Sequence, residues 1–87
     1  MSPSPAWATR AEPILRLYSR ANCHLCDEMA EALRALGVEF AKRDVDADPA
    51  LAERYGSKVP VLTDGADREI CHARLDLRAL RARLALE

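Results

Sequence analysis

Two cysteines three positions apart are the residues of this sequence best suited to chemistry. Cys23 and Cys26 stand in the stretch LYSRANCHLC, where a short apolar segment gives way to a helical pattern. Residues three apart on a helix lie on the same side, so their Cα atoms fall within the roughly 4.4–6.8 Å that a disulfide requires. One thiol could then attack a substrate disulfide, and the other could resolve the mixed disulfide.

The predicted position of Cys23 at the start of a helix favours its thiolate form. Unpaired N–H groups and the positive end of the helix dipole would lie near its sulfur. Arg20 and His24 are neighbouring basic residues that would add to this effect, whereas the acidic pair that follows Cys26 opposes it. Because Cys26 lies one turn further into the helix, we expect it to be shielded. We therefore predict that Cys23 is the nucleophile and Cys26 the resolving thiol.

The residues alone leave other uses of the pair open. Half of a zinc or iron–sulfur site needs further ligands, for which Cys71, His72 or a dimer partner are the candidates. Adjacent residues lack the usual spacing of a ligand pair, so we expect no metal site. The cysteines could also be two small buried core residues. A further alternative is a fold that serves only protein contacts, with thiols that do not exchange.

Composition limits the class of protein. The 87 residues are 49% apolar and carry a formal net charge of −1, which indicates one small folded domain and disfavours a nucleic-acid partner. We find no secretory leader and no apolar run of the ~18–20 residues that span a bilayer. We therefore expect a cytoplasmic protein without a membrane partner, and we predict that it is a monomer. A reducing compartment disfavours a permanent structural disulfide.

Hydrophobic patterns predict the elements that hold the cysteine pair. Residues 1–12 lack an apolar pattern and are predicted to be a flexible tail before a folded domain at 13–87. The predicted strands are 14–19, 38–45, 59–63 and 68–72. The first predicted helix has Asn22 or Cys23 as its N-cap and ends before Gly37, the second starts at Asp48-Pro49 and ends at Gly56, and the third is capped by Asp76. The order βαβαββα predicts an α/β domain with a four-stranded mixed sheet flanked by helices.

Two helical faces and one charged segment complete the residue-level predictions. The first helix is predicted to bury Leu25, Met29, Leu33 and Leu36, and the last helix Leu77, Leu80 and Leu84. The C-terminal arginines are interpreted as a solvated helix face; they are Arg74, Arg78, Arg81 and Arg83.

Two segments of the sequence resemble a known family. LYSRANCHLC resembles the strand–turn–helix of glutaredoxins, with Arg20 three residues before Cys23, and YGSKVPVL is similar to the segment that carries a cis-proline in the thioredoxin superfamily. Together with DVDADP at 44–49, they resemble a family of small bacterial glutaredoxin-like proteins. The resemblance covers the predicted domain and implies a thioredoxin-like fold with strands in the order second, first, third, fourth.

The resemblance also implies roles for individual residues. Pro60, in cis, would face the cysteine pair, and the Val59 backbone would hydrogen-bond to a bound thiol peptide. Beside these two residues, we predict Arg20, His24 and Lys58 as part of the substrate-binding set. The implied activity is thiol–disulfide exchange on protein or low-molecular-weight disulfides, without a cofactor and with glutathione as a candidate co-reductant.

The sequence departs from the glutaredoxin pattern at several positions. His24 replaces the usual proline after the first cysteine, and Lys58 replaces a threonine. CHARLD at 71–76 replaces the Gly-Gly-x-Asp turn that holds a glutathione carboxylate, so this segment does not imply a glutathione site. The implied sheet puts Cys71 and His72 at the active-site end, roughly 10 Å from the pair. We interpret Cys71 as an inert buried residue and His72 as a surface histidine.

Overall fold

The computed structural model describes residues 15–85, which alternate strands and helices in the predicted order. The predicted tail at 1–12 and the first residue of the predicted first strand lie outside the described residues. The elements are β1 (Leu15–Ser19), α1 (His24–Ala35), β2 (Phe40–Asp44), a 3-10 turn (Val45–Ala47), α2 (Pro49–Tyr55), β3 (Val61–Thr63), β4 (Glu69–His72) and α3 (Leu77–Ala85). The 3-10 turn was not predicted.

The four strands form one mixed sheet in the order β2-β1-β3-β4. β1 pairs in parallel with β2, and β3 pairs antiparallel with both β1 and β4. Because β3 is antiparallel to both neighbours, β4 runs parallel to β1. The carboxyl ends of β1 and β4 therefore lie at the same end of the sheet. The α/β, thioredoxin-like fold predicted from the sequence is thereby confirmed.

The sheet has a hydrophobic cluster on each face. Between the sheet and the helices α1 and α3 lie Leu15, Leu17, Met29, Ala30, Leu33, Leu62, Cys71 and Leu80. On the other face, Tyr18 and Tyr55 stack with ring centroids 4.4 Å apart and pack with Val45 and Val61 beneath α2. Helices therefore cover both faces of the sheet.

Several helix boundaries follow from local signals that the sequence displays. Gly37, just past α1, has φ of 74°, a conformation that glycine adopts without a steric penalty. The side chain of Asp48 accepts the N–H of Ala50, and Pro49 is the first residue of α2. Asp76 caps α3 by accepting the N–H of Ala79 at 3.0 Å.

The predicted helical core faces were only partly right. Leu25 and Leu36 are 40% and 51% exposed, because the buried stripe of α1 runs through Cys26, Met29, Ala30 and Leu33. Leu25 lies about 100° around the helix from Cys26, which turns it away from the sheet.

Two predictions for the last helix were also wrong. In α3 only Leu80 is buried, while Leu77 and Leu84 are 47% and 39% exposed. Arg83, predicted to be solvated, instead pairs with the buried carboxylate of Asp64. No helix within residues 15–85 is long and apolar enough to cross a membrane.

Candidate active site

Cys23 is the residue that caps α1, and it lies within reach of Cys26. Its backbone is extended, with φ of −106° and ψ of 107°, and its carbonyl oxygen accepts the Asp27 N–H at 3.1 Å. The Cys23 Sγ accepts the backbone N–H of Cys26 at 3.2 Å. The two residues pair as a disulfide with Cα atoms 5.2 Å apart. A backbone N–H group in the first turn of α1 thus donates to the sulfur of Cys23.

The two sulfurs differ in access to solvent. Cys23 is half-buried, whereas Cys26 is fully buried on the side of α1 that packs against the sheet. This difference follows from position, because Cys23 precedes the first helical turn and Cys26 completes it. A disulfide partner arriving from solvent can therefore reach Cys23 first.

Arg20 is held by Asp46 and by the backbone of Gly56. Its guanidinium makes two hydrogen bonds to the Asp46 carboxylate, both at 3.0 Å, and a third to the Gly56 carbonyl oxygen at 3.1 Å. A β-carbon at Gly56 would collide with the Ala52 carbonyl oxygen and come within 3.0 Å of this guanidinium. Arg20 thus ties the loop before Cys23 to the 3-10 turn and the end of α2.

His24 is the first residue of α1, and its side chain is 87% exposed. Its Nε2 lies 2.6 Å from the Glu28 carboxylate, one turn further along the helix. Neither His24 nor Arg20 hydrogen-bonds to Cys23 in the described part of the chain, so their effect on its thiolate stays a prediction.

Pro60 is buried beside the end of β1, next to the loop that carries Cys23. The Val59–Pro60 peptide bond is cis. Tyr18 and Val61 are paired in antiparallel strands, so Pro60, just before Val61, lies beside Ser19, just after Tyr18. The Pro60 carbonyl oxygen accepts the Ala73 N–H at 2.8 Å. This hydrogen bond joins the Pro60 segment to the connection after β4.

Lys58 belongs to a charged network that the sequence did not reveal. Its Nζ lies 2.6 Å from one oxygen of Glu69, whose other oxygen lies 2.7 Å from Nδ1 of His72. The hydrogen bonds from Lys58 and then His72 lower the pKa of Glu69 against the opposing effect of burial. We define these three residues as the Lys58–Glu69–His72 network.

A bulge in β4 builds this network. Thr63 pairs with Glu69 and Leu62 pairs with Cys71, which leaves Ile70 as an extra residue. Ile70 and Cys71 both pack toward the core beneath α1 and α3. The side chains of Glu69 and of the histidine of the network therefore lie on the same, opposite face of the sheet. In a regular strand, residues three apart would lie on different faces.

Cys71 is a free cysteine in the core and stands apart from the disulfide. It is 8% exposed, and burial raises the pKa of its thiol despite a hydrogen bond from the Asp76 backbone. Within residues 15–85, no three His, Cys, Asp or Glu side chains come together as a metal site would require. His72 is exposed at the end of β4.

Comparison with known proteins decides the family. The model of a family described as glutaredoxin-like domain (DUF836) matches residues 14–85. The chain belongs to this family. A structural genomics target from X. campestris is 43% identical, with a TM-score of 0.69 over 84% of this chain and 97% of that chain. Protein Ne2328 from Nitrosomonas europaea is 34% identical, with a TM-score of 0.73 over 95% and 98%.

Glutaredoxins themselves are similar to this glutaredoxin-like domain in fold. A buckwheat glutaredoxin, whose structure was determined as a complex with glutathione, is 18% identical, with a TM-score of 0.55 over 83% of this chain and 68% of that chain. The resemblance to a glutaredoxin-like family predicted from the sequence is confirmed. The connection between β4 and α3 of this glutaredoxin-like domain begins at Ala73, whose φ is 64°, and ends at Asp76, which caps α3.

Proposed function

We propose that this chain is a thiol–disulfide oxidoreductase whose reduced Cys23–Cys26 pair reduces disulfides. The observation that carries this proposal is the unequal exposure of two paired cysteines at the start of α1, with the first reachable and the second buried. Membership of a glutaredoxin-like family supports the same activity.

The reaction takes two exchange steps that balance in atoms and electrons. The Cys23 thiolate attacks one sulfur of the substrate disulfide, which forms a mixed disulfide and releases the other substrate sulfur as a thiolate. Cys26 then loses its proton and attacks the Cys23 sulfur, which forms the Cys23–Cys26 disulfide and releases the second substrate thiolate. Two electrons pass from the pair to the substrate, and two protons end on the substrate thiols. Two molecules of a low-molecular-weight thiol such as glutathione then reduce the Cys23–Cys26 disulfide back to the dithiol and are themselves joined as a disulfide.

The segment from Lys58 to Pro60 is proposed to hold the substrate. The Val59 backbone would pair with an extended thiol-bearing segment, and the buried Pro60 would shape the floor beneath it. Arg20 and His24 are proposed to act at the rim, Arg20 by fixing the loop through Asp46. We further propose that the protein acts as a cytoplasmic monomer on protein or small disulfides, without a cofactor.

The proposal is tested by intact-mass spectrometry of the chelator-treated protein. The protein is equilibrated across a series of ratios of reduced to oxidised glutathione, beside a Cys26→Ser variant. We expect the wild-type chain to lose two hydrogens in one reversible step, whose midpoint gives the reduction potential. The Cys26→Ser variant should instead trap one glutathione on Cys23, because nothing resolves the mixed disulfide.

A Cys71→Ser variant is the matched control, since it removes a cysteine that lies outside the pair. It should repeat the wild-type step with the same midpoint. Thiols that stay reduced and unmodified across the whole series would overturn the oxidoreductase proposal.

A further inference from the structure

Three basic side chains flank the redox pair and the cis-proline, and each of them contacts a carboxylate. The basic residues within three positions of Cys23 or Pro60 in the sequence are Arg20, His24 and Lys58. Arginine, lysine and protonated histidine are the side chains that bind carboxylates through charge-assisted hydrogen bonds. The partners of these three residues in the structure therefore decide how much positive charge a substrate can use.

Asp46 forms two hydrogen bonds with the Arg20 guanidinium. The donors are Nε and Nη2, both at 3.0 Å from the carboxylate, which is the bidentate arrangement that makes such pairs strong. The remaining nitrogen, Nη1, donates to the carbonyl oxygen of Gly56. Asp46 is itself held, because its backbone N–H donates to the Asp44 carboxylate at 2.9 Å. A substrate carboxylate would have to displace Asp46 in order to bind Arg20.

Glu69 neutralises Lys58 at the segment that is proposed to hold the substrate. The Lys58 Nζ lies 2.6 Å from one oxygen of Glu69, and His72 contacts the other oxygen. The hydrogen bonds from Lys58 and then His72 lower the pKa of Glu69, so this carboxylate is ionised near neutral pH. The third basic side chain, His24, lies 2.6 Å from Glu28.

Two further cations near the pair share surface depressions with carboxylates. Arg74, in the connection after β4, lines one depression with Glu28 and another with Asp76. Lys42, in β2, lines a third depression together with Asp27 and Asp44. The end of the sheet that carries the redox pair thus presents cations and carboxylates side by side.

We infer that Asp46 and Glu69 are specificity-determining residues of the thiol–disulfide exchange. By neutralising the cations beside the redox pair, they let the chain reduce uncharged disulfides as readily as disulfides that carry carboxylates. This inference rests on the proposed function and gives its substrate class, which is set by access to the disulfide rather than by its negative charge. Glutathione still exchanges with the pair, at the rate that its sulfur chemistry sets.

The test compares two disulfides that differ in charge. Oxidised glutathione carries glycine carboxylates that are esterified in the disulfide of glutathione ethyl ester. The reduced full-length chain is mixed with each, and the second-order rate constants are measured by mass spectrometry of acid-quenched samples. Their ratio, anionic over esterified, is divided by the same ratio for 2-mercaptoethanol, an uncharged thiol. We define the result as the charge preference, and we expect it to lie within about twofold of one for the wild-type chain.

Removal of the Glu69 charge should create a preference for the anionic disulfide. Glu69→Gln keeps the shape of the side chain and leaves Lys58 as a free cation, so the charge preference should rise about threefold, a size typical of one exposed ion pair. The rise should shrink as salt is added. Asp46→Asn should act in the same direction through Arg20. The assays run at pH 8, where an ordinary imidazole is uncharged.

A double variant and a matched control identify the cation responsible. Lys58→Met combined with Glu69→Gln removes the released charge, so the charge preference should return to the wild-type value. Asp67→Asn releases Arg16 from a similarly exposed ion pair. That pair lies at the turn between β3 and β4, at the opposite end of the sheet from Cys23. The control should therefore change the preference by less than about 1.5-fold, because salt screens distant charges.

Four results would overturn the inference. They are a wild-type charge preference above about fivefold, an unchanged preference in Glu69→Gln, an equal rise in Asp67→Asn, and a rise that persists in the double variant.

An alkylation measurement separates this inference from the proposed function. Iodoacetamide and iodoacetate modify a thiolate by the same chemistry, but only iodoacetate is an anion. The ratio of their rates at Cys23, relative to the ratio for 2-mercaptoethanol, should be near one in the wild-type chain and rise in Glu69→Gln. That result in a chain that reduces neither disulfide would refute the oxidoreductase and support the role of Glu69 in setting the charge around Cys23. Reduction of both disulfides, with neither ratio changed by Glu69→Gln, would support the oxidoreductase and refute the inference.

Discussion

Arg83, in the last turn of α3, reaches the buried carboxylate of Asp64 in the turn that joins β3 to β4. The Asp64 side chain is 2% exposed, and it also accepts the backbone N–H groups of Ala66 at 2.8 Å and Arg68 at 2.9 Å. A second guanidinium, that of Arg68, lies 3.1 Å away. One carboxylate therefore closes the turn and fastens the C-terminal helix to it.

Removal of the Asp64 charge should destabilise the fold. Asp64→Asn keeps an oxygen for the backbone donors but leaves the partly buried Arg83 without its counter-charge. We expect the free energy of unfolding, measured by urea denaturation, to fall by about 1–3 kcal/mol. Glu31→Gln removes an exposed charge and should change it by less than about 0.5 kcal/mol. Similar values for the two variants would show that Asp64 acts only through net charge.

The contribution of Asp64 should disappear in acid. Burial raises the pKa of this carboxyl, but the hydrogen bonds from Arg68 and Ala66 and the charges of Arg68 and Arg83 outweigh it and lower the pKa overall. A lowered folded-state pKa stabilises the fold above the unfolded-state pKa of about 3.9, and this gain is lost as the pH falls through the folded-state pKa.

Urea denaturation from pH 7 to pH 3, at constant ionic strength, measures this effect. The difference in unfolding free energy between the wild-type chain and Asp64→Asn should be constant from pH 7 to about 5 and shrink below about 4. A difference that does not change across the series would mean that the pKa of Asp64 is the same in both states.

Local signals in the sequence were sufficient for the order of elements. The run of apolar residues before Cys23, the Asp48–Pro49 helix start and the Gly37 helix end each depend on a few neighbouring residues, and the structure has all three. The sheet order followed from the resemblance to the thioredoxin superfamily. The difference in solvent exposure between Cys23 and Cys26 could be predicted from their positions relative to the first turn of α1.

Contacts between distant residues could not be predicted in the same way. Arg83 looked like one of several solvated arginines, because nothing local distinguishes it from Arg81. The network of Glu69 with His72 depends on the bulge at Ile70, and a bulge reverses the alternation from which strand faces are read. Each of these features depends on contacts between strands and helices that are distant in the sequence. Hydrophobic periodicity does not predict such contacts.

Replacement of Thr63 by valine should stabilise the protein. Thr63 is fully buried in β3, and its hydroxyl oxygen has no hydrogen-bond partner among the described residues. A buried polar group without a partner costs about 1–3 kcal/mol, and valine has nearly the same shape without that group. We expect the free energy of unfolding of Thr63→Val to rise by about 1 kcal/mol. Thr63→Ser keeps the hydroxyl and loses a methyl group, so it should be less stable than the wild-type chain. A Thr63→Val variant no more stable than the wild-type chain would contradict this account.

The three thiols of the reduced protein should differ widely in their rates of alkylation. Cys23 is half-buried at the start of α1, Cys26 is fully buried, and Cys71 combines burial with a raised thiol pKa. Because alkylating agents react with accessible thiolates, iodoacetamide under native conditions should modify Cys23 at least about tenfold faster than the other two. Mass spectrometry of quenched samples would show one rapid adduct followed by two slow ones.

Two comparisons connect this order of reactivity to the fold. Cys23→Ser should lose the rapid adduct and keep both slow ones, and guanidinium should bring all three rates in the wild-type chain close together, because unfolding removes the differences in burial. Rapid modification of Cys71 in the native protein would mean that β4 opens toward solvent, and Cys71 would then compete with Cys26 to resolve a mixed disulfide on Cys23. A slow Cys71 leaves Cys26, one helical turn away from Cys23, as the thiol that would complete the proposed exchange.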